Sequence, residues 1–371
     1  MSAPSSAAIR QPSASIAAAP GGRGAARDRQ REALLFVLSP NQVQRFYRGG
    51  AKIARFRALD VAGDGPEDWV ASTTTVAGEQ QAGLTRLPDG RLLADAIDQD
   101  PAWFLGPAHL AAYGADSSLL VKLLDAGERL PVHCHPDRAY SRAHLGCAHG
   151  KTEAWIVLAA DGADPCVYLG FAEAVPAGVL AGWVAQQDVA ALLGSLHKLP
   201  VAPGDSVLVP AGTPHAIGPG VFLTELQEPT DLSILLEWQG FVGDGAQDGT
   251  LGLGYDRVLG AVDRTPWDAE RLAAVRRSAA ATGTGSSVTA LLPSAADSFF
   301  RADWLRPGDG LRLDAGYAVW IVASGRGALR TEHGGALELR QGMTVLVAYG
   351  DGPASLTGAA EVIRCRPPAP G

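Results

Sequence analysis

Val132-His133-Cys134-His135-Pro136-Asp137 is the stretch around which this chain can be read. On an extended strand, residues i and i+2 share a face. His133 and His135 therefore project two imidazoles side by side, with Cys134 on the opposite face. Eighteen residues further on, Glu153 opens an apolar strand within Gly150-Lys151-Thr152-Glu153-Ala154-Trp155 and presents a carboxylate. A third imidazole, His215, ends the turn-rich run Pro210-Ala211-Gly212-Thr213-Pro214-His215, and Gly204 stands six positions before Pro210. Three imidazoles and one carboxylate suit a borderline divalent ion such as zinc, manganese or iron(II). A His-x-His pair alone is often an ordinary surface feature. The ordered series, each member with its own flanking motif, is what points to a metal centre.

Outward from this stretch, short apolar runs recur: Leu119–Leu124, Ala154–Leu158, Ser206–Val209, Ser233–Leu236, Val319–Val322 and Thr344–Val347. Several alternate apolar and polar residues, as half-buried strands do. Turn signals such as Pro88-Asp89-Gly90, Pro203-Gly204-Asp205 and Gly308-Asp309-Gly310 separate them. Many short strands with punctuating turns predict a mainly β chain, a sandwich or barrel, with few helices. One predicted helix covers Asp188–Leu196, with Asp188 as its cap and Val189, Leu192, Leu193 and Leu196 on one face. A helical stretch over roughly 252–279 divides a long first β region (31–245) from a shorter second one (286–371), with 246–285 as the connector. The run from Leu199 to Ala211 and the run from Leu337 to Ala348 both read as strand, Gly turn, strand, which makes an internal repeat plausible.

The chain has 371 residues, enough for about two domains. Hydrophobic residues at 47% and charged residues at 19% fit a globular protein with a core. A net charge of -8 with no Lys/Arg cluster in the body argues against nucleic acid as a partner. No apolar run approaches the ~18 residues of a membrane span. Cys134, Cys147, Cys166 and Cys365 are scattered, without a C-x-x-C pair, and suggest a reduced, cytoplasmic protein. Residues 1–30 are low in complexity, rich in Ala, Ser, Pro, Gly and Arg, and no apolar segment follows their arginines. They read as a dispensable, disordered tail and not as a secretory signal.

The His-x-His, Glu, Gly-x5-Pro-x-Gly-x2-His series resembles the two motifs of the cupins, small jelly-roll β-barrels whose mouth holds one metal. More closely, the sequence resembles the type I mannose-6-phosphate isomerases, which are cupin-fold zinc enzymes. The matching runs cover most of residues 45–245. They include Arg45-Phe46-Tyr47-Arg48-Gly49-Gly50-Ala51-Lys52-Ile53, Glu67-Asp68-Trp69-Val70-Ala71-Ser72, Leu119–Ala126, the His135, Glu153 and His215 motifs, and Glu225-Leu226-Gln227-Glu228-Pro229-Thr230-Asp231.

The resemblance implies two cupin barrels, the second without metal, and interconversion of mannose 6-phosphate with fructose 6-phosphate. It implies one zinc ion (manganese or iron(II) also suit the ligand types) on His133, His135, Glu153 and His215. Lys151 and Glu225 become the catalytic candidates, and Lys122 and Lys151 the candidates for binding the sugar or sugar phosphate. Asp137 reads as a turn-former and His333 as an ordinary loop residue.

The chain departs from the family in three places. His133 stands where the family has Gln, Pro131 where it has Ser, and the strand Leu232–Trp238 lacks the family's arginine. A guanidinium is a strong phosphate clamp, so Lys151, Lys122, Arg138 or Arg142 would have to take its place. These departures keep two alternatives open: a cupin metalloenzyme acting on an unphosphorylated sugar, and a non-catalytic sugar-binding cupin.

Overall fold

A computed structural model describes residues 35–60, 65–278 and 287–370. Its strand ladders are antiparallel and form four sheets. In the first half, a seven-stranded sheet runs in the order Arg276–Arg277, Ser206–Val209, Glu153–Ala160, Val221–Gln227, Leu120–Asp125, Glu67–Val70, Gln42–Val43. A five-stranded sheet has the order Ile234–Leu235, His133–Cys134, His215–Ile217, Cys166–Phe171, Leu196–Pro200. In the second half, a six-stranded sheet runs Phe36–Val37, Thr344–Val347, Ala318–Ser324, Glu361–Arg366, Arg301–Arg306, Ser287–Ala290. A four-stranded sheet has the order Leu311–Leu313, Ala354–Gly358, Arg326–Thr331, Gly335–Arg340.

The mainly β reading holds, and Ser206–Val209 and Thr344–Val347 are strands at the expected bounds. The repeat hinted at by the two strand–turn–strand runs is a repeat of topology. Glu153–Ala160 lies between Ser206–Val209 and Val221–Gln227, as Ala318–Ser324 lies between Thr344–Val347 and Glu361–Arg366. The strands beyond, and those of the smaller sheets, continue in the same relative order.

Helices are more numerous than expected. Leu93–Gln99, Pro101–Leu105 and Pro107–Tyr113 are three that the sequence pattern does not announce. Pro101 and Pro107 are first-turn residues, where a missing N–H costs nothing, so they start helices here instead of marking loops. The expected helix after Asp188 is Val189–Gly194, with the Asp188 side chain accepting from the Ala191 N–H. It stops before Leu196, which opens a strand. The 252–279 stretch is not one helical block. Tyr255–Val258 and Ala269–Ala274 are separate helices, and Arg276–Arg277 then pairs with Ser206–Val209 at the edge of the seven-stranded sheet. Phe36–Val37, near the start of the chain, pairs with Thr344–Val347 in the second half. Two short edge strands therefore cross the expected boundaries. The tail at 1–30 lies outside the described residues.

The largest apolar cluster fills the first half, with Trp155, Val157, Ile217 and Leu223, and continues into Phe300, Val319, Ile321 and Ile363 of the second. A separate cluster lies between the two sheets of the second half, around Trp320, Leu305, Leu339 and Leu356. Each half thus supplies a packed frame whose open end can carry polar groups.

Candidate metal centre

His133 and His215 face each other across an antiparallel ladder, and His135 comes just after the end of the His133–Cys134 strand. The three ring centroids lie 4.1–5.0 Å apart, and one nitrogen from each ring lies within 4.8 Å of the others. Each Nδ1 is bonded to a backbone carbonyl: His133 to Pro131 at 2.8 Å, His135 to Leu232 at 2.7 Å, His215 to Thr213 at 2.8 Å. A carbonyl only accepts, so each Nδ1 carries the proton and each Nε2 offers a lone pair. The Nε2 atoms of His133 and His215 are 3.0 Å apart. Two lone pairs at that distance call for a cation between them.

Glu153 completes the group. Its Oε2 lies 3.0 Å from His135 Nε2, and its Oε1 lies 3.3 Å from His215 Nε2. Oε1 also accepts from the Trp155 indole at 3.0 Å. All four side chains are buried. Burial pushes the three imidazoles down, His135 to about 3. Burial opposes the charge on Glu153, but His135 and Lys151 outweigh it and hold the carboxyl well below its usual range. Neutral imidazoles beside a carboxylate are the ligand forms of both groups. His135 Nε2 and Glu153 Oε2 are buried with no hydrogen-bond partner among the described residues. These orphaned acceptors fit a divalent ion, and the three histidines can form a metal site.

Lys151 precedes the strand that Glu153 opens, yet its Nζ lies 3.4 Å from Glu153 Oε2, so the expected shared face is kept. Beyond it lies a buried charged floor. Lys122 Nζ sits 3.3 Å from Glu67 and 3.4 Å from Glu225, and 4.8 Å from the centre of the Trp69 ring. Three neighbouring strands deliver these groups, because Lys122 pairs with both Glu225 and Trp69. Burial raises Glu225 to about 7, with Glu153 adding to the rise and Lys122 opposing it. Glu67 is held at about 2, since Lys122, Arg45 and the donors Tyr47 and Trp69 overcome its burial.

Arg45 grips Asp231 through two hydrogen bonds of 2.8 and 2.9 Å. Its burial opposes the charge, but Glu67 and Asp231 outweigh that and raise its pKa. Arg45, Glu67, Tyr47 and Asp231 are not candidates on sequence grounds, although each lies in a run that carries the family resemblance. A cavity of ≈ 20 Å³, room for about one water, touches Arg45, Glu67, Lys122, His133, Lys151 and Glu225. All the sequence-predicted site residues except His135 and His215 line it, and those two sit against its wall through Glu153 and His133.

The other cations lie elsewhere. Arg138 is held by Glu228 and lies 4.7 Å from the centre of the Phe299 ring. Arg142 is exposed and donates to the Ala148 carbonyl at 3.4 Å. Asp137 accepts from the Tyr140 N–H and caps the helix Arg138–Leu145, the turn role expected of it. His333 is exposed, 3.8 Å from Glu332. In the strand that lacks the arginine, Ile234 packs with Cys134 and Val132 in an apolar cluster.

Antiparallel sheets around three buried histidines that could hold a metal ion make this a mainly β protein with a candidate metal site, and comparison with known proteins narrows the class. No family model matches the chain. It is 43% identical over 113 residues to a mannose-6-phosphate isomerase of Streptococcus mutans, across 30% of this chain and 34% of that protein. It is 34% identical over 118 residues to mannose-6-phosphate isomerase ManA of Bacillus subtilis, across 32% of this chain and 36% of that protein. The matched stretches thus span about a third of the length of these curated relatives. The crystal structure of a mannose 6-phosphate isomerase from Bacillus subtilis matches with a TM-score of 0.71 over 90% of this chain and 99% of that one, at 19% identity. A variant of phosphomannose isomerase from Salmonella typhimurium matches with a TM-score of 0.69 over 91% of this chain and 100% of that one, at 15% identity. In sequence over part of its length, and in fold over nearly all of it, the chain is similar to the mannose-6-phosphate isomerases.

Proposed function

We propose that this chain is a metal-dependent aldose–ketose isomerase that interconverts mannose 6-phosphate and fructose 6-phosphate. The observation that carries the reading is the juxtaposition of two sites: an imidazole trio with its tautomers set for an ion, and a buried carboxyl, Glu225, raised to about 7 beside Lys122. The named relatives support it. Each half is read as a cupin barrel, and the ion belongs to the first alone.

His133, His135, Glu153 and His215 would hold one zinc ion, with manganese or iron(II) as substitutes of similar ligand taste. A divalent ion there supplies Lewis acidity to a sugar oxygen, worth several kcal/mol of charge stabilisation. Glu225 is the acid/base: a carboxyl near 7 is partly ionised at neutral pH and can both take and return a proton. It takes the proton from C2 of the aldose and delivers one to C1 of the ketose, while the hydroxyl proton moves from O2 to O1, so no net proton is gained or lost. Lys122 steadies the ionised form of Glu225. Lys151 lines the cavity, which supports its role in meeting the phosphate or polarising the sugar. The ≈ 20 Å³ cavity has room for about one water, so side chains must move for a sugar to enter.

Cytoplasmic residence is part of the proposal, supported by four free cysteines. Among the described residues no helix is long and apolar enough to cross a membrane. Purified protein assayed on mannose 6-phosphate, mannose and lyxose, together with metal analysis, tests the reading. Turnover of mannose 6-phosphate with one bound ion is expected. Turnover of unphosphorylated sugars only would replace it with the metalloenzyme of a free sugar, and binding without turnover with a sugar-binding cupin.

A further inference from the structure

The second half repeats the ladder of the first with other side chains on it. Trp155 pairs with Val207 and Glu225, and Trp320 pairs with Val345 and Arg364. Trp320 is thus the counterpart of Trp155, and Arg364 that of Glu225. Glu225 pairs with Lys122 on the next strand, and Arg364 pairs with Asp303. The buried carboxylate–lysine couple of the first half returns with its charges exchanged. Glu153 pairs with Val209, and Ala318 pairs with Val347, so an alanine stands where the carboxylate ligand would be. His215 pairs with His133 in the first half, whereas the corresponding ladder of the second half, Leu311–Leu313 against Ala354–Leu356, carries no histidine.

The consequence is visible at the indole. Trp155 donates to Glu153, whereas the Trp320 N–H is buried without a partner among the described residues, in a side chain only 2% exposed. Trp320 forms part of the wall of a cavity of ≈ 370 Å³ at this end of the second half. Arg301, Arg312, Arg364 and Arg366 line it too, against a single lining acid among the described residues, Asp314. Asp303 holds Arg364 and Arg366 at 2.7 Å each, and Arg301 donates to the carbonyls of Pro367 and Pro368. The Nε of Arg366 is buried without a partner, and Arg312 is exposed with no side-chain hydrogen bond or ion pair among the described residues. Burial and the neighbouring Arg364 and Arg301 push Arg366 down to about 10, with Asp303 opposing. One carboxylate shared by two guanidiniums leaves an excess of positive charge and spare N–H donors in a concave, partly apolar site.

We propose that this cavity is a second binding site, for a small phosphorylated metabolite, with the phosphate held by Arg312 and Arg366 and the organic part against Tyr317 and Tyr349. Guanidiniums offer the fork geometry that phosphate oxygens accept, both tyrosines line the cavity, and its volume is that of small-molecule sites. The site shares no lining residue with the cavity over the candidate metal centre.

The test is calorimetric titration of the full-length protein, prepared in phosphate-free buffer, with inorganic phosphate and with glucose 6-phosphate. Three forms are compared: wild type, Lys151→Ala, which removes a cation at the first-half cavity only, and the double variant that adds Arg312→Glu. Saturable binding is expected in the wild type and in Lys151→Ala. In the Lys151→Ala background, Arg312→Glu, an exposed change that leaves the Asp303 cluster intact, should weaken it about tenfold or more. Arg366→Gln should weaken it comparably where that variant folds. Absence of saturable binding in Lys151→Ala, or binding by the double variant as tight as by Lys151→Ala alone, would overturn the proposal.

Discussion

Trp155 and Trp320 occupy the same place in the ladders of the two halves, both in a buried core, and their surroundings have opposite sign. Around Trp155 stand Glu153, Glu225 and Lys122, with three imidazoles across the way. Around Trp320 stand Ala318, Arg364, Arg366 and Asp303. The backbone pairing is kept from one half to the other while the side chains at a handful of positions decide whether the open end suits a cation or an anion. Strand order and register carry no information about chemistry; the residues set on them do. One large core can serve both halves for the same reason: the apolar faces that meet are equivalent, and the differences lie at the ends.

The strongest way to break this asymmetry is to remove a ligand. His135→Ala should abolish ion binding, measured by elemental analysis, and lower the proposed isomerase activity by about a thousandfold or more, since the loss of Lewis-acid stabilisation is worth several kcal/mol. The anion site of the second half should be untouched, so phosphate should still bind this variant. Retention of a full equivalent of metal by His135→Ala would show that the trio is not the centre.

Next in size is the loss of Lys151. A charge-assisted contact to phosphate is worth roughly 1.5–3 kcal/mol, so Lys151→Ala should raise KM for mannose 6-phosphate about ten- to a hundredfold. Use of unphosphorylated mannose should change far less. Equal losses on both sugars would show that Lys151 does not read the phosphate in the first half.

A smaller effect separates the two charge couples by pH. In the proposed reaction Glu225 acts as base in its ionised form, and with a pKa of about 7 activity should rise as pH passes upward through that value. Lys122 holds this pKa down, so Lys122→Gln should move the acid limb of kcat/KM to higher pH by roughly one unit or more. The same shift has a stability consequence of definite sign. Glu225 goes from an ordinary 4.5 to about 7 on folding, so its contribution is intact below about 4.5 and is lost as pH rises toward 7, where the unfolded chain has already released the proton. An acid limb that stays in place in Lys122→Gln would remove Lys122 from this role.

The candidate centre is legible in the sequence because its members sit in local motifs. His-x-His on a strand, Glu at a strand start and His after a Pro/Gly turn each carry their geometry in a few residues. The charged floor is not, because it is assembled across the ladder. Arg45 reaches Asp231 over 186 residues, and no spacing rule links them. Lys122 reads as one polar residue in the apolar strand Leu120–Asp125, and only the adjoining strands show that Glu67 and Glu225 receive it. For the fold, strands bounded by Gly turns stand out, whereas the helices over 93–113 are hidden by Pro101 and Pro107, which start a helix only when the residues after them can continue one. Phe36–Val37 and Arg276–Arg277 are two residues each, too short for any periodicity, and only their pairing partners make them strands.

The smallest expected effect is the sharpest test of the contrast between the halves. Trp155→Phe and Trp320→Phe remove the same atoms from equivalent buried positions, so the loss of ring volume is common to both. The N–H differs. In Trp155 it is donated to Glu153 Oε1 at 3.0 Å, and its removal strips a buried carboxylate of a donor. In Trp320 it meets no acceptor among the described residues, so its removal relieves an unpaired polar group. The net worth of one such hydrogen bond is about 1 kcal/mol. In metal-free protein with no added phosphate, urea unfolding should therefore show Trp155→Phe to be the more destabilised of the two by about that amount. Phosphate should then restore less stability to Trp320→Phe than to Trp155→Phe, because only the former alters a wall of the arginine-lined cavity. Equal destabilisation of the two variants, with equal rescue, would mean that the indoles are equivalent in partners as well as in place, and the contrast between the halves would fail at its centre.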